Sequence, residues 1–274
     1  MFNVNANGAT IPALGFGTFR ISEKDVKRIV PYALQSGFRH IDTAQIYENE
    51  AAVGDAIKLS GVARKDIFLT TKVWVENYRL DDFIASVDES LGKLRTDYVD
   101  LLLLHWPNKD VPLSEQIAGL NAVKKQGKVR NIGVSNFNTA LMDEAVALSD
   151  APLVTNQVEY HPYIDQSVVS DAARKHGMSV TSYFAMADGE VFNDDSLKAI
   201  ALDHGKSVAQ VVLRWLLQQS GVVTLSKTVG EKRVLENFDV FDFELTRAQM
   251  HEIHNLNQEN GRIVSPDGLA PQWD

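Results

Sequence analysis

The 274-residue sequence contains no cysteine. That excludes a disulfide framework and thiolate metal ligation, and it fits a reducing, cytoplasmic setting. No apolar run approaches the ~18 residues that a membrane-spanning helix needs, so no membrane partner is expected. The opening, MFNVNANGATIP, lacks a basic start and an apolar stretch, which predicts no secretory signal. An excess of positive charge is also missing. The formal net charge is −9, with 27 Lys and Arg against 36 Asp and Glu, which argues against nucleic acid as the main partner. A local basic pocket remains compatible with that balance. No Pro/Ser/Gly linker or low-complexity tract divides the chain, so residues 1–274 are expected to form a single domain.

What is present is apolar material, 45% of the chain, in a regular alternation. Asn7-Gly8 between FNV and TIP predicts an opening hairpin. Eight short apolar runs follow, at 13–18, 38–42, 67–73, 98–105, 129–135, 153–159, 178–184 and 222–226. Most are rich in Val, Ile and Leu without clean alternation, as strands buried on both faces should be. Amphipathic stretches separate them, from Glu23–Leu34 through Val208–Gln219, and two further helices are expected near 230–237 and 246–255. Glycines at 37, 61, 127, 177, 205 and 221 fall where these helices should stop. Eight strands alternating with helices predict an α/β fold, a (β/α)8 TIM barrel with an N-terminal β-hairpin. The competing open doubly wound sheet lacks its glycine fingerprint, since Gly15-Phe16-Gly17 runs on to Arg20.

In such a barrel, chemistry sits where strands end. Asp42 closes the second run, with Tyr47 five residues on. Lys72 stands inside the third, and His105-Trp106-Pro107 follows the fourth. An ammonium in an apolar strand is costly unless paired, and Asp42 on the neighbouring strand is the nearest carboxylate. Lys72 beside Tyr47 is expected to bring the phenol below its ordinary pKa of about 10 and so make it a general acid toward a carbonyl oxygen. His105 would hydrogen-bond the same oxygen. With no cysteine and no G-x-S-x-G nucleophile, a hydride from a nicotinamide is the fitting reactant at carbon. Ser135, Asn136 and Gln157 are candidates for its carboxamide, and Tyr183 for stacking on its ring. Trp74, Trp106, Phe19, Ile46 and Trp273 are candidates for a substrate pocket suited to small carbonyl compounds. Paired His-x-His metal ligands are missing. His251 and His254, three apart on a helix, are expected on its surface, so no metal site is expected.

The run Gly37-Phe38-Arg39-His40-Ile41-Asp42-Thr43-Ala44-Gln45-Ile46-Tyr47-Glu48-Asn49-Glu50 resembles the signature of the aldo-keto reductase family. Leu104–Pro107, Gly133–Phe137 and Asn156–Pro162 resemble three more of its blocks in family order, and the chain length is similar to the bacterial branch that includes diketogluconate reductases. The resemblance implies NADPH/NADP+ as cofactor, Tyr47 as proton donor and Asp42, Lys72 and His105 as its partners. It implies Trp74 and Trp106 beside the substrate, and cofactor contacts from Gly17, Thr18, Phe19 and Asp42. It implies the same of Ser135, Asn136, Gln157 and Tyr183. Leu225–Val229 resembles the family's 2′-phosphate block, which implies Lys227, Thr228, Val229 and Arg233 at that phosphate, with Glu236 and Asn237 at the adenine. Phe184-Ala185-Met186 stands where the family usually has Ser-Pro-Leu, so a hydroxyl is lost from the loop expected at the pyrophosphate, where backbone N–H groups would have to serve. Ser226 replaces a family proline. A monomer is expected. A catalytically silent nucleotide-binding subunit and a metal-dependent barrel hydrolase are the alternatives; the intact tetrad argues against the first and the missing paired ligands against the second.

Overall fold

A computed structural model describes residues 1–274. Strands β1 (Asn3–Ala6) and β2 (Ala9–Pro12) form an antiparallel hairpin. Asn7 and Gly8 make its turn with φ of 45° and 86°, the left-handed pair that a two-residue hairpin loop requires. The Asn7 amide donates to the carbonyls of Leu153 and His176, seating the hairpin against the N-terminal end of the barrel, away from the strand ends that carry the site.

Eight parallel strands close on themselves: β3 (Leu14–Gly17), β4 (His40–Asp42), β5 (Phe68–Val73), β6 (Val99–Leu104), β7 (Val129–Ser135), β8 (Leu153–Glu159), β9 (Ser179–Tyr183) and β10 (Val222–Ser226), the last pairing with both β9 and β3. All eight expected runs are strands. Their lack of alternation has its expected cause: β5, β6, β8 and β10 are buried along their whole length, between barrel interior and helices. Asp100, the one charge in β6, is buried yet paired with Arg64 at 2.8 Å and Arg130 at 3.0 Å.

Ten helices follow the expected order: α1 (Glu23–Gln35), α2 (Glu50–Ser60), α3 (Leu80–Leu94), α4 (Leu113–Lys125), α5 (Thr139–Leu148), α6 (Ser167–Lys175), α7 (Asp195–His204), α8 (Val208–Leu217), α9 (Glu231–Phe238) and α10 (Arg247–His254). Ser22 caps α1 by accepting the Asp25 N–H. All six glycines expected at helix ends have positive φ. Short 3-10 turns at Gln45–Tyr47, Arg64–Asp66, Val75–Asn77 and Ala187–Asn193 are too brief to show a period in sequence, and none was expected. No helix is long and apolar enough to cross a membrane. On α10, His251 and His254 are exposed, and His254 Nδ1 accepts the indole N–H of the buried Trp215 at 2.9 Å.

Candidate active site

Parallel register sets the site. Asp42, the last residue of β4, lies opposite Gly17 on one side and Thr70 on the other. Two residues further along β5 comes Lys72, opposite Leu103 of β6, and His105 follows two residues after that. Three neighbouring strands therefore deliver an acid, an ammonium and an imidazole to one end of the barrel.

The Lys72 side chain is wholly buried. Its Nζ donates to Asp42 Oδ1 at 2.6 Å, to the Thr43 carbonyl at 2.9 Å and to Tyr47 Oη at 3.3 Å. Those three bonds use all three ammonium protons. The second Asp42 oxygen accepts Gln157 Nε2 at 2.9 Å, so the carboxylate is satisfied as well. Tyr47 closes the 3-10 turn after β4; its ring is half-buried and its hydroxyl meets the buried ammonium. His105 stands edge-on to Tyr47 at 5.6 Å and to Trp74 at 5.3 Å between ring centroids. Its Nδ1 is buried without a hydrogen-bond partner. Burial, with Lys72 adding to it, holds the His105 imidazole well below its ordinary pKa, so the ring is neutral at neutral pH.

One expectation is reversed. Burial, and then the Asp42 charge, push the Tyr47 phenol well above its ordinary value instead of lowering it. The Lys72 charge is answered by Asp42 at 2.6 Å, so the phenol faces a compensated pair and not a bare cation. Burial likewise pulls the Lys72 ammonium down, against the pull of Asp42.

Residues within the Thr43–Glu50 run hold Tyr47 in place, a role that sequence reasoning did not assign. Asn49 donates to the carbonyls of Thr18 and Ile21 and accepts the hydroxyls of Thr43 and Thr18. Gln45 accepts the Trp74 N–H at 2.8 Å and donates to Ser90 Oγ and the Ser86 carbonyl. Glu50, buried, accepts hydroxyls from Thr71 and Ser90, and burial raises its pKa. The available signal was polar residues within a segment that must pack against strands.

The residues expected around a nicotinamide are gathered beside this set. Ser135 Oγ donates to the Gln157 carbonyl at 2.7 Å. Asn136, in the left-handed region at φ 63°, donates to the His105 carbonyl and to Ser135 Oγ. Tyr183, last in β9, donates its hydroxyl to Asn136 Oδ1 at 2.7 Å. Phe184 (φ 61°) turns the chain out of β9, and Ala185 and Met186 follow. Ala187–Asn193 then forms short 3-10 turns broken by a kink at Asp188 (φ 52°) and Gly189 (φ 103°), and Asp188 lies 3.8 Å from Arg20. Arg20 also lies over the rings of Phe19 and Phe184 at 5.0 and 5.8 Å. Gly17, Thr18 and Phe19 end and follow β3, and the Thr18 N–H and hydroxyl both donate to the Asp42 carbonyl. Lys227 and Thr228 follow β10; partial burial and the nearby Arg20 hold the Lys227 ammonium below its usual value. The Thr228 hydroxyl accepts the Gly230 N–H, and the Val229 carbonyl accepts Arg28. Arg233 is exposed on the first turns of α9, with Glu236 half-buried and Asn237 buried on the same helix.

The aromatic candidates for the substrate pocket meet at the same mouth. Phe19 packs on Tyr47 at 5.0 Å, and Trp106 meets Trp273 edge-on at 6.3 Å. Ile46 is exposed. The C-terminal tail lies over this side, and its attachments at Glu159 and Asn138 were not foreseen.

A methylglyoxal reductase DkgB of Salmonella typhi is 45% identical over 268 residues, covering 97% of this chain and 100% of that protein. A crystal structure of a provisionally named 2,5-diketo-D-gluconic acid reductase B is similar at a TM-score of 0.99 and 64% identity, covering 100% of this chain and 98% of the other. A Bombyx mori aldo-keto reductase solved in complex with NADP is 32% identical at a TM-score of 0.87, with 94% of each chain covered. The sequence profile of one family matches residues 13–258, ending ahead of the tail. On that match and those identities, the chain belongs to the Aldo/keto reductase family.

Proposed function

We propose that this protein reduces small aldehydes and ketones to alcohols with NADPH, and that Tyr47 gives the proton to the carbonyl oxygen. The carrying observation is the hydrogen-bonded chain Asp42–Lys72–Tyr47 with a neutral His105 beside it. The family and the relatives named for methylglyoxal and diketogluconate reduction support the same reading.

The polar groups present suit the cofactor. Ser135, Asn136 and Gln157 offer both donors and acceptors to a carboxamide, and Tyr183 offers a ring beside them. Gly17, Thr18 and Phe19 would border the same groove. Lys227, Arg233 and the Thr228 hydroxyl, with Val229 between, form a donor set matched to a phosphate dianion. Glu236 and Asn237 would meet the adenine. In the loop Phe184-Ala185-Met186 the N–H groups of Ala185 and Met186 make no backbone hydrogen bond. They follow a left-handed Phe184, a backbone arrangement that binds anions. Those amides stand in for the family hydroxyl.

When bound, NADPH supplies the hydride that adds to the carbonyl carbon. The remaining work falls to the chain. His105, uncharged, donates a ring N–H to the carbonyl oxygen and orients it. Tyr47 keeps its proton through the neutral pH range because its pKa is raised. An alkoxide is a stronger base than a phenolate, so the proton leaves Tyr47 only as charge develops on that oxygen. Lys72, already bonded to the phenol oxygen, then faces the phenolate charge, and Asp42 keeps the ammonium in place. Asp42 and Lys72 act here through Tyr47. All these groups belong to one chain, so we propose that a monomer, with residues 1–274 as one domain, suffices.

Following NADPH absorbance with a simple aldehyde, with NADH run in parallel, tests the reading. Carbonyl-dependent oxidation of NADPH is expected; its absence over a panel of aldehydes and ketones would refute the proposal.

A further inference from the structure

The buried carboxylates of this chain are Asp42, Glu50, Asp100 and Glu159. Asp42 is paired with Lys72, Asp100 with Arg64 and Arg130, and Glu159 with His161 and, at 3.8 Å, Arg262. Glu50 alone has no cation at ion-pair distance. A buried charge left in that condition is costly, and its surroundings show what it holds.

Glu50 opens α2, just beyond the Tyr47 turn. One of its oxygens accepts the hydroxyl of Thr71, the residue before Lys72 on β5, at 2.6 Å. The other accepts Ser90 Oγ of α3 at 3.2 Å. Ser90 Oγ in turn accepts Gln45 Nε2 at 3.1 Å, and Gln45 Oε1 accepts the Trp74 backbone N–H at 2.8 Å. That N–H can only donate, so it fixes the sense of the whole chain: Trp74 to Gln45, Gln45 to Ser90, Ser90 to Glu50. Two hydroxyl protons therefore converge on one side chain, and an ionised carboxylate accepts both. A protonated Glu50 would turn a donor toward one of them, and neither hydroxyl donates elsewhere.

Successive residues of a strand face opposite sides, so Thr71 places Glu50 behind the barrel wall whose inner face carries Lys72. Burial pulls the Lys72 ammonium down; Asp42 from within and Glu50 from behind pull it back up. A cleft of about 470 Å³ opens onto Glu50 between α2, α3 and the Tyr47 turn. Its other charged groups are Glu23, Glu48, Glu89 and Lys93, the last two paired at 2.6 Å.

We propose that Glu50 is a positioning residue for proton transfer: its carboxylate orders the bonds that hold the Tyr47 turn and the Lys72 strand, and its charge is a second anion that keeps Lys72 an ammonium. This rests on the reductase reading of the site. When Tyr47 gives up its proton, Lys72 must be charged to face the phenolate, and Asp42 is shared with Gln157. Protonation of Glu50 through the cleft removes that support and leaves one hydroxyl proton without an acceptor, so turnover falls with pH.

The test is the pH profile of kcat for a simple aldehyde at saturating NADPH, on wild type, Glu50→Gln, Glu50→Asp and Glu89→Gln. At neutral pH, Glu50→Gln is expected to lower kcat about tenfold with KM within about twofold. With one anion fewer, Lys72 loses its proton sooner, so the basic limb should move down by about one pH unit. The acid-side fall of wild type should flatten in the same variant. Glu50→Asp keeps the charge and should keep the basic limb in place while kcat drops, and Glu89→Gln, on the cleft rim, should match wild type. A lower kcat in Glu50→Gln with the basic limb unmoved would make Glu50 merely structural, and wild-type turnover would equally overturn the proposal. Glu50→Ala, which turns no donor toward the hydroxyls, supplies the uncharged comparison if Glu50→Gln does not fold. NMR titration of the Lys72 side-chain nitrogen in isotope-labelled protein, assigned with Lys72→Arg, reads the same support without turnover: deprotonation at lower pH in the uncharged variant is expected, and equal titration would refute it. If no carbonyl compound is reduced at all, the reductase reading fails, and this titration still decides the role of Glu50.

Discussion

Lys72 Nζ lies 2.6 Å from Asp42 Oδ1, and neither side chain is open to solvent. Two charges removed from water are tolerated here because both are fully hydrogen-bonded, Lys72 also to Thr43 and Tyr47 and Asp42 also to Gln157. The pair is thus a fixed, nearly neutral support for Tyr47, and its electrostatic value emerges only when the phenol loses its proton.

Removing one partner should be costly. Lys72→Met leaves the Asp42 charge buried and unanswered, and a loss of about 3–5 kcal/mol in unfolding free energy is expected. Denaturant unfolding of Lys72→Met, and of Lys72→Met combined with Asp42→Asn, checks this. The double variant should recover part of the loss, and equal losses would speak against an ion pair as the source.

Stability should fall as pH drops below about 6.5. Burial lowers His40 to about 4 and His105 well below its ordinary value. Both are depressed in the folded state, so between the unfolded value near 6.5 and the folded value the unfolded chain binds protons that the folded chain does not. Their stabilising contribution is complete above pH 6.5 and is lost as pH falls. Calorimetric Tm values between pH 8 and 4.5 check the sign, and His40→Asn should flatten the slope.

Cofactor choice should depend on the cations after β10. Replacing Lys227 and Arg233 by Ala is expected to cut the preference for NADPH over NADH by roughly tenfold or more, with activity on NADH largely kept. Titrating both cofactors against the variant gives the ratio; an unchanged ratio would remove these residues from the phosphate.

The tail should detach before the barrel unfolds. Gly261→Ala forces a Cβ into the Tyr163 carbonyl, and Asp274→Ala removes the acceptor at the start of α5. Each should speed proteolysis within residues 259–274 while leaving the main unfolding transition within about 1 kcal/mol of wild type. Limited proteolysis followed by mass spectrometry reads both.

Much of this was legible in the sequence because the constraints are local. Apolar runs without alternation mark strands covered on both faces, and Asn7-Gly8 and the glycines after helices mark turns that few other residues make. Lys72 in an apolar strand demands a partner, and Asp42 was the nearest. What was not legible depends on distance and burial. The direction of the Tyr47 pKa turns on how completely Asp42 answers Lys72, which no spacing conveys. The clamps at Gln45 and Asn49 read only as part of a motif. Arg262 meets Glu159 across more than a hundred residues, and an arginine in a polar tail gives no local sign of such a contact.

Replacing Tyr47 by Phe removes one oxygen from the site and leaves the ring that packs on Phe19 and His105. Turnover of a simple aldehyde is expected to fall by about 10²–10⁴-fold, with NADPH binding and the unfolding midpoint close to wild type. Turnover near the wild-type rate in a folded, cofactor-binding variant would show that the proton comes from elsewhere.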